Sequence, residues 1–130
     1  MKDPKWLTKA VALAFHDEQL AEHGGQSGVR DEGLLDSALD RPKNQFHYGE
    51  PDIFDLAAAC AFGLAKNHPF LDGNKRASFV ACETFLNLNG RDLRATDEHA
   101  LATWISLAEG TLTEAKLAQC LRDNSTKLSV

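Results

Sequence analysis

Hydrophobic residues recur along this chain at helical spacing, and short polar segments with glycine or proline separate the hydrophobic runs. The pattern predicts six α-helices, and no internal repeat or linker interrupts them. Capping and stop signals place the first five helices near residues 8–23, 32–40, 53–66, 74–87 and 96–109. The sixth begins at Thr111 or Thr113 and ends near residue 123. On the first helix, the predicted apolar face is formed by Leu7, Val11, Ala14 and Ala21, and Leu13 and Leu20 widen it. We therefore expect residues 1–130 to form one all-α domain.

The third and fourth predicted helices are apolar around nearly their whole circumference. Residues 57–65 are almost entirely small or apolar, and the fourth helix has few polar residues besides Ser78, Glu83, Thr84 and Asn87. Helices of this kind are buried, and small side chains let neighbouring helices approach closely. The expected architecture is therefore about six helices, with two central buried helices that meet at the loop between them.

Two segments fall outside the predicted helices. Pro42 predicts the end of the second helix, because proline disfavours helix at the preceding residue. Residues 44–51 then include three aromatic or extended-prone side chains and Gly49, a pattern compatible with a short β-hairpin or an ordered loop. Residues 124–130 are polar, and we expect them to form a frayed tail.

Composition and charge narrow the possible functions. The chain has 14 basic and 19 acidic residues, a net charge of −5, and this gives no electrostatic footprint for direct nucleic-acid binding. No apolar run reaches the ~18 residues of a membrane span, and the first residues lack a signal-peptide core. The three cysteines, Cys60, Cys82 and Cys120, show no metal-ligand spacing. We expect buried free thiols in a cytoplasmic protein without a membrane partner.

Residues 68–76, which read HPFLDGNKR, concentrate the chemically active side chains of the chain. Asp72 or Asn74 would begin the fourth helix, so the free N–H groups of its first turn would face an anion. Gly73 lets the backbone approach a ligand closely. Lys75 and Arg76 add positive charge, and an arginine can bind two phosphate oxygens at once. The stretch therefore predicts a site for a nucleotide phosphate.

Two further side chains of this stretch are suited to catalysis. Asp72 is a hard oxygen ligand for Mg²⁺ shared with phosphates, and His68 can take a proton from an attacking hydroxyl. Two alternatives remain: these residues only hydrogen-bond an interhelical loop, or they belong to a metal-dependent hydrolase. The hydrolase would need further ligands, and the sequence does not place His16, His47 or His99 in space.

Residues 68–76 resemble the Fic motif, H-P-F-x-[D/E]-G-N-x-R, and the lysine after the asparagine is typical of the Doc branch, the death-on-curing toxins of type II toxin–antitoxin systems. The similarity covers residues 6–122, including 22–25, 30–35, 38–44 and 57–66. It implies an all-α Fic/Doc fold with the motif between two central helices. The implied catalytic residues are His68, Asp72 (the Mg²⁺ ligand) and Asn74. The implied phosphate-binding residues are Gly73, Asn74, Lys75 and Arg76, with Lys66 as a further phosphate contact.

The resemblance also distinguishes between two reactions. AMP-transferring relatives usually have glycine where Lys75 stands, and a second arginine where Phe79 stands. Without that arginine, the pose that exposes the α-phosphorus of ATP loses support. Doc-type toxins share both changes, bind ATP in the opposite orientation and transfer its γ-phosphate to elongation factor Tu, which blocks translation. The resemblance therefore favours a protein kinase, with an AMP transferase and a non-catalytic binding module as alternatives.

Two interaction partners follow from the same resemblance. A short hairpin called the flap would dock the backbone of the target protein by strand addition, and it corresponds to Phe46, His47, Tyr48 and Gly49. Many Fic enzymes carry an inhibitory pattern [S/T]-x-x-x-E-[G/N], which this chain lacks because Ile105 stands four residues before Glu109. Inhibition would then come from an antitoxin whose C-terminal segment folds into a groove of the toxin.

Overall fold

The computed structural model describes residues 3–128, apart from the side chain of Asp97, and six α-helices account for most of this range. The all-α class and the number of helices are as predicted. The helices are α1 (Lys9–His23), α2 (Glu32–Tyr48), α3 (Ile53–Asn67), α4 (Asn74–Leu88), α5 (Asp97–Ala108) and α6 (Glu114–Asp123). Two short strands complete the fold, β1 (Arg91–Leu93) and β2 (Ser125–Lys127).

Short polar side chains explain where most of these helices begin. In five of the six, a side-chain oxygen of the capping residue accepts a hydrogen bond from the backbone N–H three residues later. These capping residues are Thr8, Asp31, Asp52, Thr96 and Thr113. Helix α4 differs because its capping position is Gly73, which has no side chain to offer.

Helix α3 lies at the centre of the molecule and packs against α2, α4 and α6. Ten of its residues are buried, as the apolar run predicted. Its thiol Cys60 faces no solvent, and burial raises the pKa of that thiol to about 12. Cys82 on α4 is buried in the same way, whereas Cys120 on α6 is only half-buried, so the expectation of buried thiols is met by two of the three.

Small residues bring α2 and α3 into close contact. A Cβ atom built on Gly63 would lie 3.2 Å from the Cα atom of Ala38 and 3.3 Å from its Cβ atom. Such distances are tighter than ordinary van der Waals contact, so a side chain at this position would push against α2.

A buried polar network connects α3, α4 and α5. The hydroxyl of Ser78 donates to the carbonyl of Ala61 at 2.8 Å and accepts from the indole N–H of Trp104 at 2.9 Å. Ser78 is fully buried, although the sequence placed it on the polar face of α4. Both of its hydrogen-bonding functions are satisfied, and the network fixes the position of Trp104 against α4.

The second helix is longer than predicted and has no flap hairpin at its end. It continues through Pro42 to Tyr48, which makes Phe46, His47 and Tyr48 its last turn. An interior proline costs ~3 kcal/mol, and contacts made by residues on both sides of Pro42 offset that cost. Arg41 and Gln45 both donate to the carboxylate of Glu114 on α6, at 2.9 and 2.7 Å, while the ring of Phe46 lies 5.6 Å from that of Trp6.

The short sheet lies elsewhere in the fold. Strands β1 and β2 pair antiparallel, with Arg91 opposite Lys127 and Leu93 opposite Ser125. The frayed tail predicted for residues 124–130 is therefore wrong for residues 125–127, and residues 129 and 130 lie outside the described range. The hydrogen bonds of this ladder join sequence-distant segments, so local sequence gives no signal for them. Among the described helices, none is both long and apolar enough to cross a membrane.

We expect Gly63→Leu to lower the free energy of unfolding by about 1–3 kcal/mol, because the new side chain would force α2 and α3 apart. Urea denaturation measures this change. The matched control is Gly33→Leu, since Gly33 also lies in a helix but meets nothing closer than 3.4 Å. Equal losses for the two variants would contradict the close crossing as the cause.

Candidate active site

The loop between α3 and α4 begins with a left-handed residue. His68 ends α3 with φ 47° and ψ 56°, and such a conformation costs a residue other than glycine roughly 1–2 kcal/mol. The side chain of Arg30 stabilises it, because Nε donates to the carbonyl of His68 at 2.7 Å and Nη2 donates to that of Asn67 at 2.8 Å. Arg30 therefore fixes the direction in which the chain leaves α3.

The backbone between α1 and α2 supports the same loop. Val29 forms an isolated antiparallel bridge with Phe70, and the amide of Leu71 donates to the carbonyl of Gly28 at 3.1 Å. The amide of Arg30 donates to the carbonyl of Pro69 at 2.7 Å. A segment far away in sequence thus holds the motif loop in place.

The buried side chain of Asn74 forms two hydrogen bonds with the backbone of the loop. Its Oδ1 atom accepts from the amide of Phe70 at 2.9 Å, and its Nδ2 atom donates to the carbonyl of the same residue at 3.0 Å. Asn74 is buried, with 9% of its surface exposed. Its amide therefore orders the loop backbone and faces away from solvent, and the catalytic role that the motif assigns to Asn74 stays a prediction.

A buried histidine of α1 supports the second half of the loop. The imidazole of His16 stacks on the ring of Phe70, with centroids 3.7 Å apart and planes 9° apart, and Nε2 lies 2.8 Å from the carbonyl oxygen of Asp72. The sequence indicated an exposed or packing histidine, and packing is what the structure shows. The buried residues of α1 are Ala12, Phe15, His16 and Leu20. Leu20 was part of the predicted apolar face, whereas Val11 and Ala14 of that face are exposed.

The carboxylate of Asp72 is exposed at the mouth of the loop. Its Oδ1 accepts from the amide of Gly73 at 2.8 Å, and its Oδ2 accepts from the amide of Gln26 at 3.3 Å. Each oxygen keeps a second lone pair for another partner. An exposed carboxylate of this kind suits Mg²⁺, which is usually held by one or two carboxylates together with substrate phosphates.

These residues surround an open cavity of about 410 Å³. It is lined by His68, Leu71, Asp72, Gly73, Asn74, Lys75 and Arg76. Since Gly73 provides no cap, the amides of Asn74, Lys75 and Arg76 have no acceptor among the described residues. The helix dipole adds positive potential at this end. The exposed side chains of Lys75 and Arg76 form no ion pair with any residue that the structure describes, so the cavity is suited to an anion.

A second cavity, of about 530 Å³, adjoins the first and shares Lys75 and Arg76 with it. It lies between α1, α4 and α5. Its other lining residues are Gln19, Glu22, His23, Phe79, Val80, Glu83, Ala100, Leu101 and Trp104. The two cavities together are large enough for a nucleotide.

Two groups of predicted site residues lie outside both cavities. Lys66 lines a separate cavity between α2 and α3, where its Nζ atom is 5.4 Å from the centroid of the Phe62 ring. Tyr48 and Gly49 line another cavity, which borders α6, and Phe46 packs against the core. The structure therefore does not bring Lys66 or the predicted flap to the motif loop.

Within residues 3–128, no group of three or more histidine, cysteine, aspartate or glutamate side chains is placed to hold a metal ion. A metal-dependent hydrolase would need such a group. The alternative in which His68 and Asp72 join further ligands therefore has no support from the described residues.

Comparison with known proteins agrees with this geometry. Residues 6–86 match the model of a protein family described as the Fic/DOC family. The chain belongs to this family. The matched range contains α1 to α3, the motif loop and most of α4, so it includes every residue that lines the cavity of the motif loop.

Two curated members of the Fic/DOC family are similar to most of the chain. "Toxin Doc" of Mycolicibacterium smegmatis is 38% identical over 103 residues, which cover 78% of this chain and 75% of that protein. "Protein kinase doc" of Escherichia phage P1 is 30% identical over 111 residues, which cover 85% of this chain and 87% of that protein.

Two residues that support this Fic/DOC loop were missed as site residues by sequence reasoning. His16 stands four residues from both Ala12 and Leu20, a helical spacing that would have placed it on the buried face of α1. Arg30 precedes the cap Asp31 and lies within a segment that resembles the family, but its contact with the end of α3 spans 38 residues. Such a contact depends on the fold and leaves no local pattern.

We expect Asn74→Asp to destabilise the motif loop, because an ionised aspartate cannot donate to the carbonyl of Phe70. The free energy of unfolding should fall by about 1–3 kcal/mol, and the amide of Phe70 should exchange its hydrogen faster. Urea denaturation and hydrogen exchange measure these effects. Asn44→Asp on the exposed side of α2 is the control, and an unchanged exchange rate in Asn74→Asp would contradict this role.

Proposed function

We propose that this chain is a Doc-like toxin that transfers the γ-phosphoryl group of ATP to a hydroxyl of a translation factor in the cytoplasm, with elongation factor Tu as the candidate target. The observation that carries the proposal is the uncapped start of α4, where three free amides and two unpaired cations face a cavity that His68 also lines. The kinase named among the relatives supports the same reaction class.

Different residues of the loop would have different roles in such a transfer. The amides of the first turn of α4, with Lys75 and Arg76, hold the phosphates and stabilise the charge that spreads over the transferred group. His68 is exposed, and its imidazole has no hydrogen-bond partner among the described residues. It takes the proton of the acceptor hydroxyl as that oxygen attacks the γ-phosphorus. The bond to the bridging β–γ oxygen then breaks, and ADP leaves.

Asp72 is the residue that would hold Mg²⁺ in this reaction. Its carboxylate is exposed, lines the same cavity and is fixed in position by the amides of Gly73 and Gln26. When bound, the ion would neutralise charge on the phosphates. Because Asp72 is already oriented by backbone donors, little of its freedom is lost when it binds a ligand.

The surroundings of position 79 favour phosphoryl transfer over AMP transfer. In the AMP-transfer pose, a second arginine at this position would hold the distal phosphates. Here the ring of Phe79 lies edge-on to that of Trp104, with centroids 4.9 Å apart, and both rings line the larger cavity. An apolar wall suits the base of a nucleotide better than its phosphates. This supports a pose in which the γ-phosphate enters the motif loop.

An antitoxin is the second partner that we propose. One relative is named a toxin, and toxins of this kind are neutralised by a cognate protein. Leu101 and Ile105 on α5 are 59% and 37% exposed, so this helix offers apolar surface next to the larger cavity. An antitoxin segment folding there would compete with the nucleotide. Co-expression with the protein of the adjacent reading frame tests this by relief of growth arrest.

We expect elongation factor Tu to become labelled by [γ-³²P]ATP and not by [α-³²P]ATP when it is incubated with the purified chain and Mg²⁺. His68→Ala should lower the rate by about 10²–10⁴-fold, because the acceptor hydroxyl then loses its general base. Labelling is measured on the isolated factor. His99→Ala is the control, since His99 lies on α5 and contacts Cys120.

Other outcomes would select the alternatives. Label from the α position in the product would establish AMP transfer in place of phosphorylation. Absence of both labels, together with equal growth arrest by wild type and His68→Ala, would leave the non-catalytic binding module as the explanation.

A further inference from the structure

The larger cavity follows one face of α4 away from the motif loop. Lys75 and Arg76 stand at its start, Phe79 and Val80 one turn further on, and Glu83 at its far end. Glu83 lies seven positions after Arg76, which corresponds to about 10 Å along the helix axis. A nucleotide with its phosphates at the start of α4 therefore has its base near Glu83.

The middle of this face is shaped for an aromatic ring. Phe79 packs edge-on against Trp104 with an interplanar angle of 88°, and the indole N–H of Trp104 is bound to Ser78. Because Ser78 in turn donates to the carbonyl of Ala61, Trp104 cannot turn to offer its N–H to a ligand. The pair contributes a fixed apolar surface and no polar group, so a base would be recognised by other residues.

Glu83 is the acidic group of this face that faces the cavity without a partner. Its side chain is half-buried, and no described residue donates a hydrogen bond to it or pairs with it. Burial, and then the nearby charge of Asp92, raise the pKa of its carboxyl. A desolvated carboxylate is stabilised by an N–H donor, and a ligand that brings such donors would satisfy it.

We propose that the cavity between α1, α4 and α5 binds the nucleoside, and that Glu83 selects purines with an exocyclic amino group by accepting a hydrogen bond from it. The inference rests on the proposed phosphoryl transfer only for the presence of a nucleoside triphosphate. Gln19 on the facing wall offers both a donor and an acceptor for the ring nitrogens of a base.

Two pairs of purine nucleotides isolate the contribution of the exocyclic amino group to binding. ATP differs from purine riboside triphosphate by the 6-amino group, and GTP differs from ITP by the 2-amino group. Trp6 and Trp104 are the two tryptophans of the chain, so Trp6→Phe leaves Trp104 as the fluorescent reporter inside the cavity. Titrations in Mg²⁺ give a dissociation constant for each nucleotide without requiring turnover.

We expect the amino-bearing member of at least one pair to bind about tenfold more tightly and to change the fluorescence of Trp104. Glu83→Ala should make the two members of that pair bind equally, whereas Glu83→Gln, which keeps an acceptor oxygen, should retain part of the preference. Phe79→Ala should weaken all four nucleotides. Thr84→Ala, next along α4 but outside the cavity lining, is the matched control and should behave as wild type.

Equal binding within both pairs, or a preference that survives Glu83→Ala, would overturn the role of Glu83. Nucleotide binding that neither changes the fluorescence of Trp104 nor responds to Phe79→Ala would place the nucleoside elsewhere and overturn the site. These results can be distinguished from a result that contradicts the proposed phosphoryl transfer. Phosphorylation without base preference removes only this inference, and base preference without phosphorylation removes only the phosphoryl transfer.

Discussion

Two hydrogen bonds between the side chain of Asn74 and the backbone of Phe70 hold the motif loop in the shape on which the site depends. Asn74 is the first residue of α4, so these hydrogen bonds connect the helix to the loop that precedes it. The side chain that would cap α4 is absent at Gly73, and Asn74 is turned inward. The amides of the first turn are therefore left for a ligand, and this property makes the loop suited to an anion.

The rest of the fold fixes that loop from three directions. His16 stacks on Phe70 from α1, Arg30 binds the carbonyls at the end of α3, and the amides of Gly73 and Gln26 orient Asp72. The left-handed conformation of His68 costs free energy, and these contacts offset it. A loop held in this way is preorganised, so the proposed nucleotide would bind with little rearrangement.

Local signals explain what the sequence could predict. Threonine and aspartate caps located the helix starts, and residues 68–76 marked the loop between α3 and α4 that holds the candidate site, because each pattern acts within a few residues. Most of the errors came from contacts distant in sequence. Lys66 is the exception, because it lies against Phe62, four residues earlier on the same helix. Glu114 and Trp6 hold α2 helical beyond Pro42, which removes the expected hairpin. The ladder of β1 with β2 likewise joins segments separated by two helices.

Charge is distributed very unevenly around the site. The chain carries a net charge of −5, yet the start of α4 presents Lys75 and Arg76 without a paired acid among the described residues, while Glu83 lies at the other end of the same face. A ligand that matches these two charges is anionic at the end near Lys75 and Arg76 and offers a hydrogen-bond donor at the end near Glu83, as a nucleotide does. For the proposed nucleotide, the separation of the two charges along one helix would favour this orientation over the reverse pose, because phosphates near Glu83 would meet a like charge.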